Sequence, residues 1–147
     1  RLFPAVAVMF LTGLLDDWMD LRPKHKLVGQ TLAAGLAYWA GVRILTLPDP
    51  LVWLEFGLTV LWLVLCANAF NLIDGSDGLA GSVGLLSSVG LVAMALVLDY
   101  PALALLFAPL AGGLAAFLRE NWPPARVFMG DSGSLTIGFL LGCGGAA

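Results

Sequence analysis

Three short stretches hold the residues best suited to chemistry. Residues 13–20 read GLLDDWMD, residues 68–81 read NAFNLIDGSDGLAG, and residues 121–134 read NWPPARVFMGDSGS. In the first, Asp16, Asp17 and Asp20 form a DDxxD pattern. On a helix, Asp16 and Asp20 stand four residues apart and share a face. Carboxylates crowded into one turn repel each other, and a divalent cation relieves that repulsion. An acidic helix end at a membrane interface, with Trp18 as an interfacial aromatic, is the competing account. The cations of Arg22-Pro23-Lys24-His25-Lys26 follow directly. They either grip phosphates or reflect the preference for basic residues on the inner membrane side. His25 reads as a solvated loop residue.

The second stretch sets Asp74 and Asp77 between two long apolar runs, each followed by a glycine, Gly75 and Gly78. Charge beside a membrane span is costly and usually has a function; a polar turn that happens to carry acids is the alternative. Glycine permits backbone shapes other residues resist, so this loop can approach a ligand closely. The helix expected from Leu79 offers free N–H groups and a dipole that favour an anion. Asn68 and Asn71, three apart, either bind substrate or cap the preceding helix end. In the third stretch Pro123 and Pro124 forbid helix continuation. Asp131 with Ser132 reads as an N-cap for a helix from Ser134. Phe128 is either interfacial packing or a stacking platform for a base.

The elements that must hold these stretches are apolar. Of 147 residues, 60% are hydrophobic and 12% charged, and the mean hydropathy is +0.94. A soluble domain carries roughly a quarter charged residues, so the chain reads as an integral membrane protein. A spanning helix needs ~20 mostly apolar residues. Runs at 2–15, 27–47, 51–70, 79–98, 101–118 and 134–147 fit or nearly fit. They are continuous rather than alternating, which implies helices and not barrel strands. The fold class is all-α, a polytopic transmembrane bundle forming one catalytic domain over 1–147. The first residue is Arg1 and the chain stops within an apolar run, so a piece of a longer protein is expected.

Counting crossings puts loops 16–26, 71–78 and 119–133 on one side, and turns 48–50 and 99–100 on the other. Arg22, Lys24, Lys26, Arg119 and Arg126 lie on the shared side, against Arg1 and Arg43 on the other. Basic loops face the cytoplasm, so all three chemical stretches are expected at the cytoplasmic face of the plasma membrane. Acids outnumber bases there, so phosphates need a bound cation; oxygen ligands suit magnesium, with manganese as a substitute. Gly138 with Gly142 suits close helix packing, within the monomer rather than in a homodimer seam. Cys66 and Cys143 read as packing residues, and Arg43 and Glu55 as snorkelling side chains.

Together, GLLDDWMDLRPKHKL, NAFNLIDGSDGLAG and NWPPARVFMGDSGS resemble the polyprenyl-phosphate N-acetylhexosamine-1-phosphate transferases over nearly the whole chain. The resemblance implies a fold of about ten transmembrane helices, of which this chain would be the middle six. It implies that Asp16 and Asp17 position metal and lipid phosphate, and that Asp131 binds magnesium with Asp17. Lys24 would lie near the diphosphate. Asn71 and Asp74 would line the catalytic pocket with Asn68, and Asp77, Asn121, Phe128 and Gly130 would surround the nucleotide. The family's late histidine-rich loop is absent, and His25 is not its counterpart. Asp20 stands where muramoyl-pentapeptide transferases typically carry a lysine. That favours the N-acetylglucosamine-1-phosphate branch of O-antigen, enterobacterial antigen and teichoic acid synthesis.

The implied reaction is attack by a polyprenyl (undecaprenyl) phosphate oxygen on the sugar-linked phosphorus of a UDP-N-acetylhexosamine, with UMP leaving. It asks mainly for positioning and charge neutralisation, which suits carboxylates, lysines and helix N-termini without a nucleophilic triad. The partners are then the nucleotide sugar, the lipid phosphate and the bilayer, with no nucleic acid. Phospho-N-acetylmuramoyl-pentapeptide transfer is the alternative within the family. A magnesium-dependent intramembrane prenyltransferase is a rival, disfavoured by the FMGD turn after Pro-Pro. A cation transporter is a rival from another class, disfavoured because every motif acid falls at a helix end rather than mid-membrane.

Overall fold

The structure is a computed structural model describing residues 1–146; Ala147, the last residue of the expected 134–147 span, lies outside the described residues. The elements are α1 (Phe3–Met19), α2 (Pro23–Trp39), a 3-10 turn (Asp49–Leu51), α3 (Val52–Ile73), α4 (Leu79–Val97), α5 (Pro101–Asn121) and α6 (Gly130–Gly144), with no strand among the described residues. Prolines sit in the first turns of α1, α2 and α5. Their fixed φ suits a helix start, and the N–H they lack has no intrahelical partner there. Asp49–Ile73, Leu79–Val97 and Pro101–Asn121 are long and apolar enough to cross a membrane. The protein is a multi-pass helical membrane protein. The 17 residues of α1 and of α2 and the 15 of α6 make shorter helices than these three.

The apolar run at 27–47 is not one helix. The helix stops at Trp39, where Gly41 takes φ +107. There the Gly41 N–H bonds Tyr38 O at 3.0 Å and the Val42 N–H bonds Ala37 O at 3.0 Å, which closes the helix end. Hydropathy cannot register such a cap, because the residues after it stay apolar. The chain from Val42 to Pro48 is held instead by Glu55, which is 1% exposed. Its carboxylate accepts bonds from the Tyr38 hydroxyl at 3.0 Å, Arg43 Nη1 at 3.0 Å and the Leu47 N–H at 2.8 Å. The guanidinium also lies 4.8 Å from the Tyr38 ring centre. Glu55 therefore does not snorkel to water: it is the buried end of a tie between α2 and α3 whose other charge, Arg43, keeps its side chain 43% exposed.

The chain forms two compact units, Arg1–Asn71 with Gly130–Ala147, and Leu72–Met129. The first gathers α1, α2, most of α3 and α6 around Ala5, Met9, Ala34, Leu63, Ala67, Leu135 and Phe139. Small residues set its spacing. A Cβ on Gly13 of α1 would stand 2.5 Å from Asp131 O and Ser132 Cα of α6. One on Gly138 would stand 2.5 Å from Phe70 Cβ of α3, and one on Gly142 would stand 2.9 Å from Cys66 Cβ. Trp62 Nε1 donates to Gly142 O at 3.0 Å. The Gly138–Gly142 pair thus seats α3 inside the chain.

The second unit is a hairpin of α4 and α5. Asp99 turns at φ +53 and the Tyr100 N–H returns to Ala95 O at 2.8 Å. Gly81 lets α5 approach, since a Cβ there would stand 2.8 Å from Leu118 Cδ2.

Candidate active site

Four helix ends meet in the first unit. The C-terminal turn of α1 supplies Asp16 and Asp17, the first turn of α2 supplies Lys26, the last turns of α3 supply Asn71, and the start of α6 supplies Asp131 and Ser134. Asp17 accepts the backbone N–H groups of Asp131 at 2.7 Å and Ser132 at 2.9 Å, one on each oxygen. These are orphan donors of a helix start, and a carboxylate there also meets the positive end of the dipole. The expected cap by Asp131 on a helix from Ser134 is thereby corrected. The helix begins at Gly130, Asp131 is already in its first turn, and the capping group comes from α1. Gly130 has φ +69, and a Cβ on it would stand 3.1 Å from both Asp17 oxygens.

Freed from capping, Asp131 turns its side chain inward. Its Oδ1 accepts from Asn71 Nδ2 at 2.8 Å, and Asn71 Nδ2 also donates to Ser134 Oγ at 2.8 Å. Its Oδ2 pairs with Lys26 Nζ. The same ammonium donates to Asp16 Oδ2 at 2.8 Å, while Asp16 Oδ1 accepts the Leu21 N–H at 2.9 Å. Lys26 therefore bridges two carboxylates that are 115 residues apart in sequence number. Burial pushes Asp16 above its ordinary value; the hydrogen bond with Asp131 adds to the rise and Lys26 opposes it. Burial also pushes Asp131 up, but hydrogen bonding with Asp16, Lys26 and Asn71 outweighs it and holds the group at about 2. For Lys26, burial disfavours the charge, yet the bonds to Asp131 and Asp16 prevail and raise it.

Beside this cluster is a cavity of about 520 Å³, lined by Asp16, Asp20, Leu21, Pro23, Lys26, Leu27, Gln30 and Asn68. Gln30, 1% exposed, and Asn68 pair through both amides: Gln30 Nε2 to Asn68 Oδ1 at 3.1 Å, and Asn68 Nδ2 to Gln30 Oε1 at 2.6 Å. A cavity with charge at one side, an amide pair and apolar walls can hold a phosphate next to a less polar group.

In the second unit, Asn121 is 5% exposed and ties the 121–129 loop to the turn before α4. Its Oδ1 accepts the Gly78 N–H at 2.9 Å and its Nδ2 donates to Val127 O at 2.8 Å. Asp77 accepts the Ala125 N–H at 3.0 Å. Gly78 has φ +73, and a Cβ there would stand 3.3 Å from Pro123. Phe128 is 71% exposed. Asp74 lies, half-buried, in the turn after α3.

Asp16, Asp17, Asn68, Asn71, Gly130 and Asp131 are thus brought to one end of the first unit, and Asp77 and Asn121 to one loop cluster of the second. Lys24 is exposed, whereas Lys26 meets the carboxylates. Lys26 and Gln30 were not singled out from the sequence. The available signal was helical phase: with Pro23 opening α2 and ~100° per residue, positions 24 and 26 point nearly opposite ways, and 26 and 30 share a face.

Among the described residues, no three His, Cys, Asp or Glu side chains are close enough to form a metal cage. A pair of carboxylates gathered around one cationic atom, Lys26 Nζ, is nevertheless the donor set a magnesium ion accepts. That ion takes one or two carboxylates and completes its shell with water and substrate phosphates. Asp16 and Asp131 would hold it. The expectation that Asp17 does so must accommodate its two backbone bonds, although each oxygen keeps a second lone pair.

The sequence matches the model of glycosyl transferase family 4 over residues 2–145. The chain belongs to that family. It is similar to the phospho-N-acetylmuramoyl-pentapeptide-transferase of Desulforudis audaxviator, at 36% identity over 91% of this chain and 48% of the relative. It is 42% identical to that of Pelotomaculum thermopropionicum over 86% of this chain and 47% of the relative. It is 34% identical to the "Probable undecaprenyl-phosphate N-acetylglucosaminyl 1-phosphate transferase" of Bacillus subtilis, over 91% of this chain and 39% of the relative. The chain spans about half the length, or less, of these curated relatives.

Proposed function

We propose that the protein transfers N-acetylhexosamine-1-phosphate from a UDP-sugar to polyprenyl phosphate at the cytoplasmic membrane face, releasing UMP. The convergence of Asp16, Asp131, Asn71 and Lys26 on one helix-end site carries this reading. The site gathers charge and hydrogen-bond donors, which is mainly what phosphoryl transfer asks of a protein. Asp16 and Asp131 would hold a magnesium ion, for which manganese would substitute. When bound, the cation neutralises the diphosphate and the charge developing on the leaving phosphate. Asn71 fixes the Asp131 carboxylate, and Asp17 fixes the turn that carries it. Lys26, Gln30 and Asn68 line the cavity in which the phosphate and sugar are oriented. A phosphate monoester is largely dianionic at neutral pH, its second pKa being about 6, so the acceptor needs little help from a base.

GlcNAc-1-phosphate is the favoured group, because Asp20 stands at a cavity wall where the muramoyl branch typically has lysine. The product then primes an envelope polysaccharide, of the lipopolysaccharide or teichoic acid type. Transfer of phospho-N-acetylmuramoyl-pentapeptide is the second reading, favoured by the names of the two relatives from Desulforudis and Pelotomaculum. Full-length protein in detergent, given magnesium, undecaprenyl phosphate and either UDP-GlcNAc, UDP-GalNAc or the UDP-muramoyl-pentapeptide, separates the two. UMP release with UDP-GlcNAc is the expected result. Release with the pentapeptide substrate alone selects the second reading, and release with no UDP-sugar rejects both.

A further inference from the structure

Lys26 Nζ occupies the space between Asp16 Oδ2 and Asp131 Oδ2. It is a charge on a flexible four-carbon stem, only 17% exposed at its side chain. The carboxylates it bridges are the two that would hold a divalent cation, and each has its other oxygen already committed, to the Leu21 N–H and to Asn71. Those outer oxygens keep a second lone pair, but only Asp16 Oδ2 and Asp131 Oδ2 converge on one point, so a dication bridging the two carboxylates takes the place of the ammonium. At ~4 Å even a well-screened repulsion between them is large compared with thermal energy, so the two cannot share the seat.

We propose that Lys26 is a built-in placeholder for the metal: its ammonium keeps the Asp16–Asp131 seat assembled until a divalent cation displaces it. The displaced ammonium stays at the wall of the same cavity, facing Gln30 and Asn68. There it is free to meet a substrate phosphate, so cation binding and phosphate binding become coupled through one side chain. The seat is preorganised without metal, and the cost is a weaker resting affinity for it. The inference rests on the reading above only for what the cation is used for.

Manganese titration of the full-length protein in detergent, without substrate and followed by the electron paramagnetic resonance of free Mn2+, tests it. Lys26→Met is expected to bind Mn2+ at least about tenfold more tightly than the wild type, since a competing unit charge is gone. Asp131→Asn in the Lys26→Met background should abolish that gain. Lys26→Arg, which keeps the charge, should bind no more tightly than the wild type. The wild type itself gives a second readout that needs no variant. Acylation of Lys26, followed by mass spectrometry, should speed up several-fold on adding Mn2+, while exposed Lys24 is unaffected. Unchanged or weaker Mn2+ binding in Lys26→Met, equal tightening in Lys26→Arg, or Lys26 labelling indifferent to Mn2+ would each overturn the proposal. If these fail while UDP-GlcNAc still yields UMP, the placeholder falls and the transferase stands. If they succeed and no UDP-sugar yields UMP, the reverse holds.

Discussion

Asp17 and Asp131 divide the work that one residue was expected to do. Asp17 satisfies two N–H groups of α6 from outside the helix, which leaves the Asp131 side chain to face Lys26 and Asn71. Removing the cap should therefore loosen the site; it deletes one carboxylate but none of the groups bonded to Lys26. Asp17→Ala is expected to cost about 0.5–2 kcal/mol, the usual worth of a helix cap, read as a lowered thermal midpoint in detergent. The carboxylate cluster also sets a pH dependence. Asp131 is held at about 2, below its ordinary 3.8. Its stabilising contribution is complete above about pH 4 and is lost as the pH falls toward about 2. Asp16, shifted upward, takes its proton first and softens that loss. Lys26, shifted upward from 10.5, adds stability at lower pH that disappears only as the pH rises through its folded value. Thermal midpoints scanned from neutral to acid pH should fall less in Asp131→Asn than in the wild type. At this scale the acids were legible in the sequence because each sits in a short motif between apolar runs. Lys26 was not, because it sits in a run of cations and only the phase set by Pro23 separates it from Lys24.

The helices meet where side chains are smallest. A methyl group on Gly13 would collide with the backbone of Asp131 and Ser132, and one on Gly138 with Phe70 and Cys66. Backbone cannot step aside as a flexible side chain can. Gly13→Ala and Gly138→Ala are each expected to destabilise by about 1–3 kcal/mol, the usual cost of overpacking. Gly57→Ala, where a Cβ meets nothing within 4 Å, should be neutral or slightly stabilising, because alanine is the better helix former. Unfolding of the three variants in one detergent checks the contrast. At the far end of α2 and α3, Glu55→Ala strands Tyr38, Arg43 and the Leu47 N–H together. It should lower the thermal midpoint further than Gly57→Ala changes it in either direction. The existence of the helices was plain from hydropathy. The end of α2 was not, since Gly41 caps it by geometry while Val42, Ile44 and Leu45 keep the run apolar. The burial of Glu55 was hidden for a related reason: its partners come from a loop whose path no periodicity describes.

On the scale of the molecule, the first unit is a bundle whose function is to bring helix ends to one place. Asp16 and Lys26 are near neighbours in sequence, but Asp131 reaches them because α6 lies against α1 at Gly13, and Asn71 because α3 lies against α6 at Gly138 and Gly142. Crossing parity placed these acids on a common side; it could not say which would touch, because contact depends on helix ends meeting to within a few ångströms. The central claim is that Asp16 and Asp131 act as one centre for phosphoryl transfer. A double-mutant cycle on UMP release tests it most directly, using the full-length protein with Asp16→Asn, Asp131→Asn and both. Each single change is expected to lower the rate on the order of 100-fold, the scale seen when one electrostatic stabiliser is removed. The double variant should be hardly worse than the poorer single, as groups acting as a unit behave. Losses that multiply, or a single variant that keeps wild-type release of UMP, would contradict it.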